Sequence, residues 1–221
     1  MIRLENVSKR YKRGNETVHA LDTVSLDVAE GRLALLCGPS GSGKTTLINL
    51  CAGLAAPTSG AVYVADNPVH TMRQAERAAM RARQVAVVFQ LFHLTPYLSA
   101  YENVLLPMLT QQVSGAPQRA RALMDELRIT HRARHRPGEM SAGERQRCAL
   151  ARALLTNPAV ILADEPTGNL DVESATVVLA ALDARRRAGA TILLVSHQPM
   201  DSVKPDVMFR LEAGKLVDAI A

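Results

Sequence analysis

The stretch Gly38-Pro39-Ser40-Gly41-Ser42-Gly43-Lys44-Thr45-Thr46 constrains the fold more than any other part of the chain. It reads G-x-x-x-x-G-K-T, a phosphate-binding loop pattern. A polyphosphate needs many donors at close range, and backbone N–H groups supply them without bulk. Gly38, Gly41 and Gly43 carry no Cβ, so the backbone can press against phosphate oxygens. Lys44 is a mobile point charge for the β and γ phosphates, and Thr45 offers a hydroxyl to Mg²⁺, which prefers oxygen ligands. Before the loop, Arg32-Leu33-Ala34-Leu35-Leu36-Cys37 is an apolar run of strand length. After it, Leu47, Ile48, Leu50 and Leu54 fall at helical spacing. The helix points about half a positive charge at the same phosphates. Strand, loop and helix in that order predict a nucleotide phosphate site.

The flanking chain predicts a largely parallel α/β sheet around this loop. Ile2 to Val7 alternates as a weak strand, with Val7 one position out of phase. Val18 to Val28 reads as further strand, and so does Ala61 to Val64 after the turn Pro57-Thr58-Ser59-Gly60. Thr71-x-x-Gln74 predicts a capped helix to about Arg83, followed by a buried strand Val85 to Phe89. Residues 91–157 change character. Ser99-x-x-Glu102 opens a helix continued by Val104, Leu105 and Met108; Ala116 to Leu127 is helical; Ser141-x-x-Glu144 caps a helix through Leu155. No strand is expected there, so a helical subdomain is inserted into an α/β domain. The strand Val160 to Ala163, a helix from Val172 stopping at Gly189 and the strand Thr191 to Val195 restore the first pattern.

Composition narrows the function classes. The 221 residues make one large domain or a domain plus a subdomain. Aromatics are 3% and Trp is absent, which counts against a stacking surface for single-stranded nucleic acid. The net charge of +5 suits phosphate ligands or an anionic membrane surface without choosing between them. Cys37, Cys51 and Cys148 form no C-x-x-C, so neither a zinc site nor a disulfide framework is expected. Met1 to Glu5 lacks the apolar region of a secretory signal and no apolar run reaches bilayer length. A cytosolic chain is expected, with any membrane role coming through a partner.

Other candidates for chemistry sit at strand ends. Asp164 and Glu165 follow an apolar strand, at the edge where doubly wound sheets bind ligands. Asp164 would hold Mg²⁺, and Glu165 would orient or deprotonate a water attacking the γ phosphate. His197, just past Val195-Ser196, would donate to that phosphate or hold the water, and Gln90 would touch both Mg²⁺ and water. Each also has a plainer reading: the acidic pair as a turn cap before Pro166, His197 and Gln90 as surface groups. Ser141-Ala142-Gly143-Glu144 is a capped helix start and also an anion site. His131 to Arg136 is a candidate lipid-headgroup or partner contact, while Arg185-Arg186-Arg187 complements a helix dipole.

Together these residues resemble the ATP-binding subunit of ATP-binding cassette (ABC) transporters, over nearly the whole chain. Gly38 to Thr45 match the Walker A loop, Gln90 the Q-loop, Met140 to Glu144 the signature L-S-G-G-Q, Val160 to Glu165 Walker B, Gly168-Asn169-Leu170-Asp171 the D-loop, and His197 the switch histidine. The resemblance implies a P-loop NTPase core with an N-terminal antiparallel β subdomain. It assigns 1–90 and 158–221 to the nucleotide-binding core and 91–157 to a helical signature subdomain. Tyr11 lies where the family stacks an aromatic on adenine, and Ser141, Gly143, Glu144 and Asp171 match residues that meet nucleotide. The implied cofactors are ATP and Mg²⁺. The implied partners are an integral-membrane permease, on the inner face of the cell membrane, and a second copy, head to tail, with ATP between Walker motifs and the opposite signature. No nucleic acid partner is implied. Ala142 replaces the first signature Gly; the substitution is unstrained if it sits in a helical first turn. Stretches such as Val18-His19-Ala20-Leu21-Asp22 and Leu106-Pro107-Met108 resemble the branch serving lipoprotein-release, macrolide-export and cell-division complexes. Export or lipoprotein release is therefore expected, and the alternative is an ATPase regulating an extracytoplasmic enzyme through a permease-like partner.

Overall fold

Continuous apolar runs with no polar face can only be central strands, covered on both sides. Three such runs, Leu33–Cys37, Val160–Asp164 and Thr191–Ser196, form the middle of the main sheet in the computed structural model. The structure describes all residues except 15, 169, 198–202 and 221. In chain order its elements are β1 (Ile2–Arg13), β2 (Glu16–Val28), β3 (Leu33–Cys37), α1 (Lys44–Cys51), β4 (Ser59–Val64), β5 (Asn67–Pro68), α2 (Gln74–Gln84), β6 (Val85–Val88), α3 (Ala100–Leu105), α4 (Ala116–Glu126), α5 (Ala142–Leu154), β7 (Val160–Asp164), α6 (Val172–Arg187), β8 (Thr191–Ser196), β9 (Val207–Glu212) and β10 (Lys215–Ile220).

The six-stranded sheet runs β10-β9-β3-β8-β7-β6. Its pairings are parallel except β10 with β9. Alternate side chains serve two cores. Leu33, Leu35 and Cys37 pack with residues of α3 to α6, such as Ala100, Leu123, Leu150 and Leu182. Ala34 and Leu36 pack on the other side, with Leu47 and Ile48 of α1 and Leu4 and Val62 of the second sheet. Each Leu or Ile so buried contributes about 1.5–3 kcal/mol. Cys51 and Cys148 are free thiols inside these cores, and burial pushes both up to about 12.

The second sheet is antiparallel, in the order β2-β1-β4-β5. Val7 falls out of phase because β1 bulges between Leu4 and Val7, with Asn6 at φ 50 and its N–H held by Ser25 Oγ at 2.9 Å. Among the described residues no strand lies between β6 and β7, where α3, α4 and α5 succeed one another. The serine caps fall where the spacing predicts: Ser99 Oγ accepts from Glu102 N, and Ser141 Oγ from Glu144 N. After α3 the chain tightens into a 3₁₀ turn, Leu106–Leu109, because Pro107 cannot donate to a continuing α-helix.

Two expectations shift. The helix near residue 74 is not capped by Thr71, whose hydroxyl donates to Pro68 O at 3.0 Å. It starts at Gln74, with Glu76 accepting from Arg73 N at 2.7 Å. The sheet also gains β9 and β10, which the apolar pattern does not announce. They form an edge hairpin whose apolar positions are broken by Arg210, Glu212 and Asp218. Its turn, Ala213-Gly214, takes φ 45 and 79, the paired left-handed conformation of a tight hairpin.

Candidate functional site

Parallel register aligns the carboxyl ends of four strands. Cys37 pairs with Ser196, Asp164 with Val195, and Val88 with Ala163. The residues just past each strand therefore emerge on one edge: the Gly38 loop, His197, Glu165 and Gln90. A cleft of about 320 Å³ opens there, lined by Ser40, Gly41, Gly43, Lys44, Thr45, Thr46, Gln90, Glu165 and His197, and on its far wall by Val18, His19 and Ala20.

Two of the loop's glycines, Gly38 and Gly43, are required by close approach, while Gly41 has open space around it and takes φ 78. A Cβ on Gly38 would strike Leu211 O of β9, and one on Gly43, at φ 108, would strike Ala20 O of β2. The edge hairpin and the antiparallel sheet thus both clamp the loop. Gly43 leads into α1, whose first N–H groups have no acceptor within the helix and lie at the foot of the cleft. Pro39 adds no donor of its own, but its carbonyl and that of Gly38 accept from Lys44 Nζ at 2.8 and 2.7 Å. The Ser42 hydroxyl, within this loop, is buried with no hydrogen-bond partner among the described residues.

Thr45 Oγ1 donates to Asp164 Oδ2 at 3.1 Å, which puts two oxygen donors together below the loop. Burial pushes the Asp164 carboxyl up from its ordinary value, while the Thr45 hydroxyl, Lys44 and His197 pull it back. Glu165 adopts φ 48, a left-handed conformation that costs of order 1–3 kcal/mol in a non-glycine residue. That turn aims its carboxylate at His197, whose Nε2 lies 2.6 Å from Glu165 Oε1. Both residues line the cleft, and Glu165 O also accepts from Gly168 N at 3.2 Å in the turn that follows.

The signature residues lie elsewhere and do not line this cleft. Ser141 caps α5, and Ala142 is helical with no positive φ, so its replacement of glycine adds no strain. Glu144 is drawn inward: its carboxylate accepts from Arg132 Nε at 2.8 Å, Ser141 N at 2.8 Å and His131 Nε2 at 3.2 Å. Burial opposes its ionisation, yet these three contacts outweigh it and hold the carboxyl down at about 2. His131 and Arg132, two members of the basic cluster, are thereby engaged within the chain. Asp171 caps α6 by accepting from Ser174 N at 2.8 Å; Asn169 lies outside the described residues. Arg185, Arg186 and Arg187 pair with Glu126 and Asp183.

Gly143 has its own steric reason. A Cβ there would meet Ser174 Oγ at the start of α6, while Arg147 Nη1 donates to the same hydroxyl at 2.6 Å. Gly143→Ala is therefore expected to lose about 1–3 kcal/mol by overpacking. Thermal unfolding of Gly143→Ala with and without Ser174→Ala checks it: the second change should recover part of the loss, and simple additivity would rule the clash out.

Tyr11 stands beside the cleft rather than on its wall. It pairs with Val18 on the neighbouring strand, and Lys9 Nζ sits 4.9 Å from its ring centroid. Val18, His19 and Ala20 reach the cleft instead; their spacing marks a strand but does not tell which face meets the loop. A larger hollow of about 650 Å³ runs along α6 past Leu179 and Arg186, and contains none of the predicted site residues.

Residues 21–168 match the family described as ABC transporter. The chain is 41% identical over 219 residues to the lipoprotein-releasing system ATP-binding protein LolD of Xanthomonas campestris, covering 98% of this chain and 92% of that one. It is 37% identical over 223 residues to the protein of the same name from Paramagnetospirillum magneticum, covering 98% and 97%. Among solved structures, it resembles a dimeric ATP-binding cassette in a post-hydrolysis state bound to ADP and Pi. The TM-score is 0.93 at 34% identity, over 100% of this chain and 98% of the other. A nucleotide-free cassette from an ABC transporter matches with TM-score 0.81 at 25% identity, over 99% and 90%.

Proposed function

Because the chain belongs to the ABC transporter family as its ATP-hydrolysing subunit, we propose that its cleft hydrolyses MgATP between two copies and drives lipoprotein release through a membrane permease. The observation that carries this reading is the alignment of Lys44, Thr45, Asp164, Glu165, His197 and Gln90 on one sheet edge. In P-loop enzymes the loop backbone and its lysine cradle the β and γ phosphates, and catalysis is mainly positioning and charge stabilisation. Here the N–H groups of residues 40–46, with Lys44, take that part.

Thr45 and Asp164, already in contact, fit a hard cation, and Gln90 offers a further amide oxygen at the same edge. When bound, Mg²⁺ neutralises charge on the β and γ phosphates. Glu165 accepts the proton of the attacking water, and His197 orients that carboxylate and donates toward the γ phosphate. Tyr11, with Val18 and His19, bounds the adenine end. Ser141 and Gly143, remote from their own chain's cleft, serve the nucleotide of the second copy, head to tail, with Asp171 at the joint. Glu144 acts through the cap it forms with Ser141. The core is assigned to 1–90 and 158–221, and the signature subdomain to 91–157.

No described helix is long and apolar enough to cross a membrane; the permease partner is assigned as the link to the membrane's inner face on the names of the relatives. Leu91, Tyr97 and Leu109, all in the segment between Gln90 and α4, are 71%, 78% and 82% exposed, and the permease contact is assigned to that segment. The lipoprotein-releasing names of relatives aligned nearly end to end favour that branch over an ATPase that only regulates an extracytoplasmic enzyme. A pull-down with ATP-loaded Glu165→Gln from detergent-solubilised membranes tests it. A permease with few spans and a large extracytoplasmic domain is expected. A many-span permease would overturn the lipoprotein assignment, and soluble partners alone would overturn the permease.

A further inference from the structure

Arg152, near the end of α5, is a half-buried cation with no carboxylate partner among the described residues. Burial pulls its pKa down, and the neighbouring Cys148 thiol draws it only part of the way back. Its fork instead grips two consecutive carbonyls just beyond Gln90: Nη1 donates to His93 O at 2.6 Å and Nη2 to Phe92 O at 2.9 Å. The planar guanidinium suits such a two-point grip as an ammonium does not. Arg145, seven residues and about two turns earlier on the same helix face, lies over the Phe92 ring with Cζ 5.3 Å from the centroid. His93 is held at φ 46, a strained conformation for a non-glycine residue, and its ring stacks edge-on against Phe89 at 5.0 Å. Residues 89–93 are thus folded back on themselves, with Gln90 at the cleft and Phe92-His93 strapped to α5.

We propose that Arg152 is a positioning residue for hydrolysis: its clasp makes Gln90 and the signature helix one rigid body, so that closing Ser141 and Gly143 onto one nucleotide sets Gln90 at the other. This rests on the roles given above to Gln90 and the signature. The lever is short and stiff. α5 is a single 13-residue helix with Ser141 as its cap and Arg152 in its last turn, and an intact helix transmits displacement along its axis. A loop held only by its own backbone would not follow that helix.

The test is a double-mutant cycle in MgATP hydrolysis. Arg152→Met keeps the aliphatic stem and removes an unpaired, partly desolvated charge, so the unfolding midpoint should hold. The carbonyls it releases sit on a half-exposed loop that water can satisfy. Turnover at saturating ATP should fall about tenfold while the KM for ATP stays within about twofold, the pattern of a misplaced catalytic group. In a Gln90→Ala background the same change should bring no further loss. Wild-type turnover in Arg152→Met, or a full additional loss on top of Gln90→Ala, overturns the clasp. If Gln90→Ala itself hydrolyses at the wild-type rate, the role of Gln90 falls and the clasp with it; if Gln90→Ala is slow and Arg152→Met is not, only the clasp falls. Should Arg152→Met fold poorly, Arg152→Lys, which keeps the charge without the fork, is read through the same cycle.

Discussion

Glu165→Gln is expected to bind ATP at near wild-type affinity and to hydrolyse it about 10²–10⁴-fold more slowly, the usual worth of a positioned general base. The change is nearly isosteric, so the strained turn at φ 48 and the approach to His197 can persist. What is lost is a proton acceptor, because an amide cannot take the proton from an attacking water. The side chain is 11% exposed, so solvent offers little substitute. Two consequences separate. Phosphate release should collapse while ATP binding holds. If two copies enclose the nucleotide, a variant that cannot hydrolyse it should also accumulate as a dimer, since a ligand bound mainly by one state stabilises that state by mass action. Gel filtration of micromolar protein in saturating ATP reads this directly. A variant that stays monomeric would remove the shared site, even if its turnover were abolished.

That dimer expectation depends on residues of unequal legibility. The phosphate loop is readable because its chemistry is carried by backbone, and a backbone of that shape demands glycine at Gly38 and Gly43, which the sequence displays. The central strands are readable for a similar reason: a strand covered on both faces has no room for polar residues, and β3, β7 and β8 comply. The edge hairpin β9–β10 is hidden because one solvated face admits Arg210, Glu212 and Asp218, yet its Leu211 carbonyl is what makes Gly38 obligatory.

Side-chain direction is harder still to read. The spacing Ser141-x-x-Glu144 announces a capping box, and the box is there. Nothing local says that Glu144 also turns to Arg132 and His131, a contact set by how the preceding turn packs on α5. Tyr11 and Val18 are opposite each other, and only the twist and bulges of β1 decide that Val18 reaches the cleft. Arg152 looks in sequence like one more basic residue on a helix. Its partners are carbonyls, which carry no residue identity, so no pattern could have named them. The missing information is tertiary: which face meets which neighbour.

Lys44→Ala carries the other large effect, and it should show first in binding. Lys44 is 5% exposed, and its ammonium bridges the Gly38 and Pro39 carbonyls, so it already stands inside the loop. Its approach to Asp164 gives the site a compensating pair: the cation draws the carboxyl down against the burial that raises it. A single charge-assisted contact to phosphate is worth about 1.5–3 kcal/mol, or roughly 10- to 150-fold in Kd. Titration calorimetry should therefore show ATP affinity reduced by at least that range. Stability without nucleotide should also fall somewhat, because Asp164 loses part of the compensation for its burial and the Gly38 and Pro39 carbonyls lose their donor. Lys44→Arg sharpens the reading: it keeps the charge but replaces a compact ammonium with a planar fork too large for the loop's interior, and should bind weakly too. If Lys44→Ala bound ATP as well as the wild type, the phosphate would have to sit elsewhere on the edge, and every role that uses the γ phosphate as its reference, Glu165 and His197 included, would fall with it.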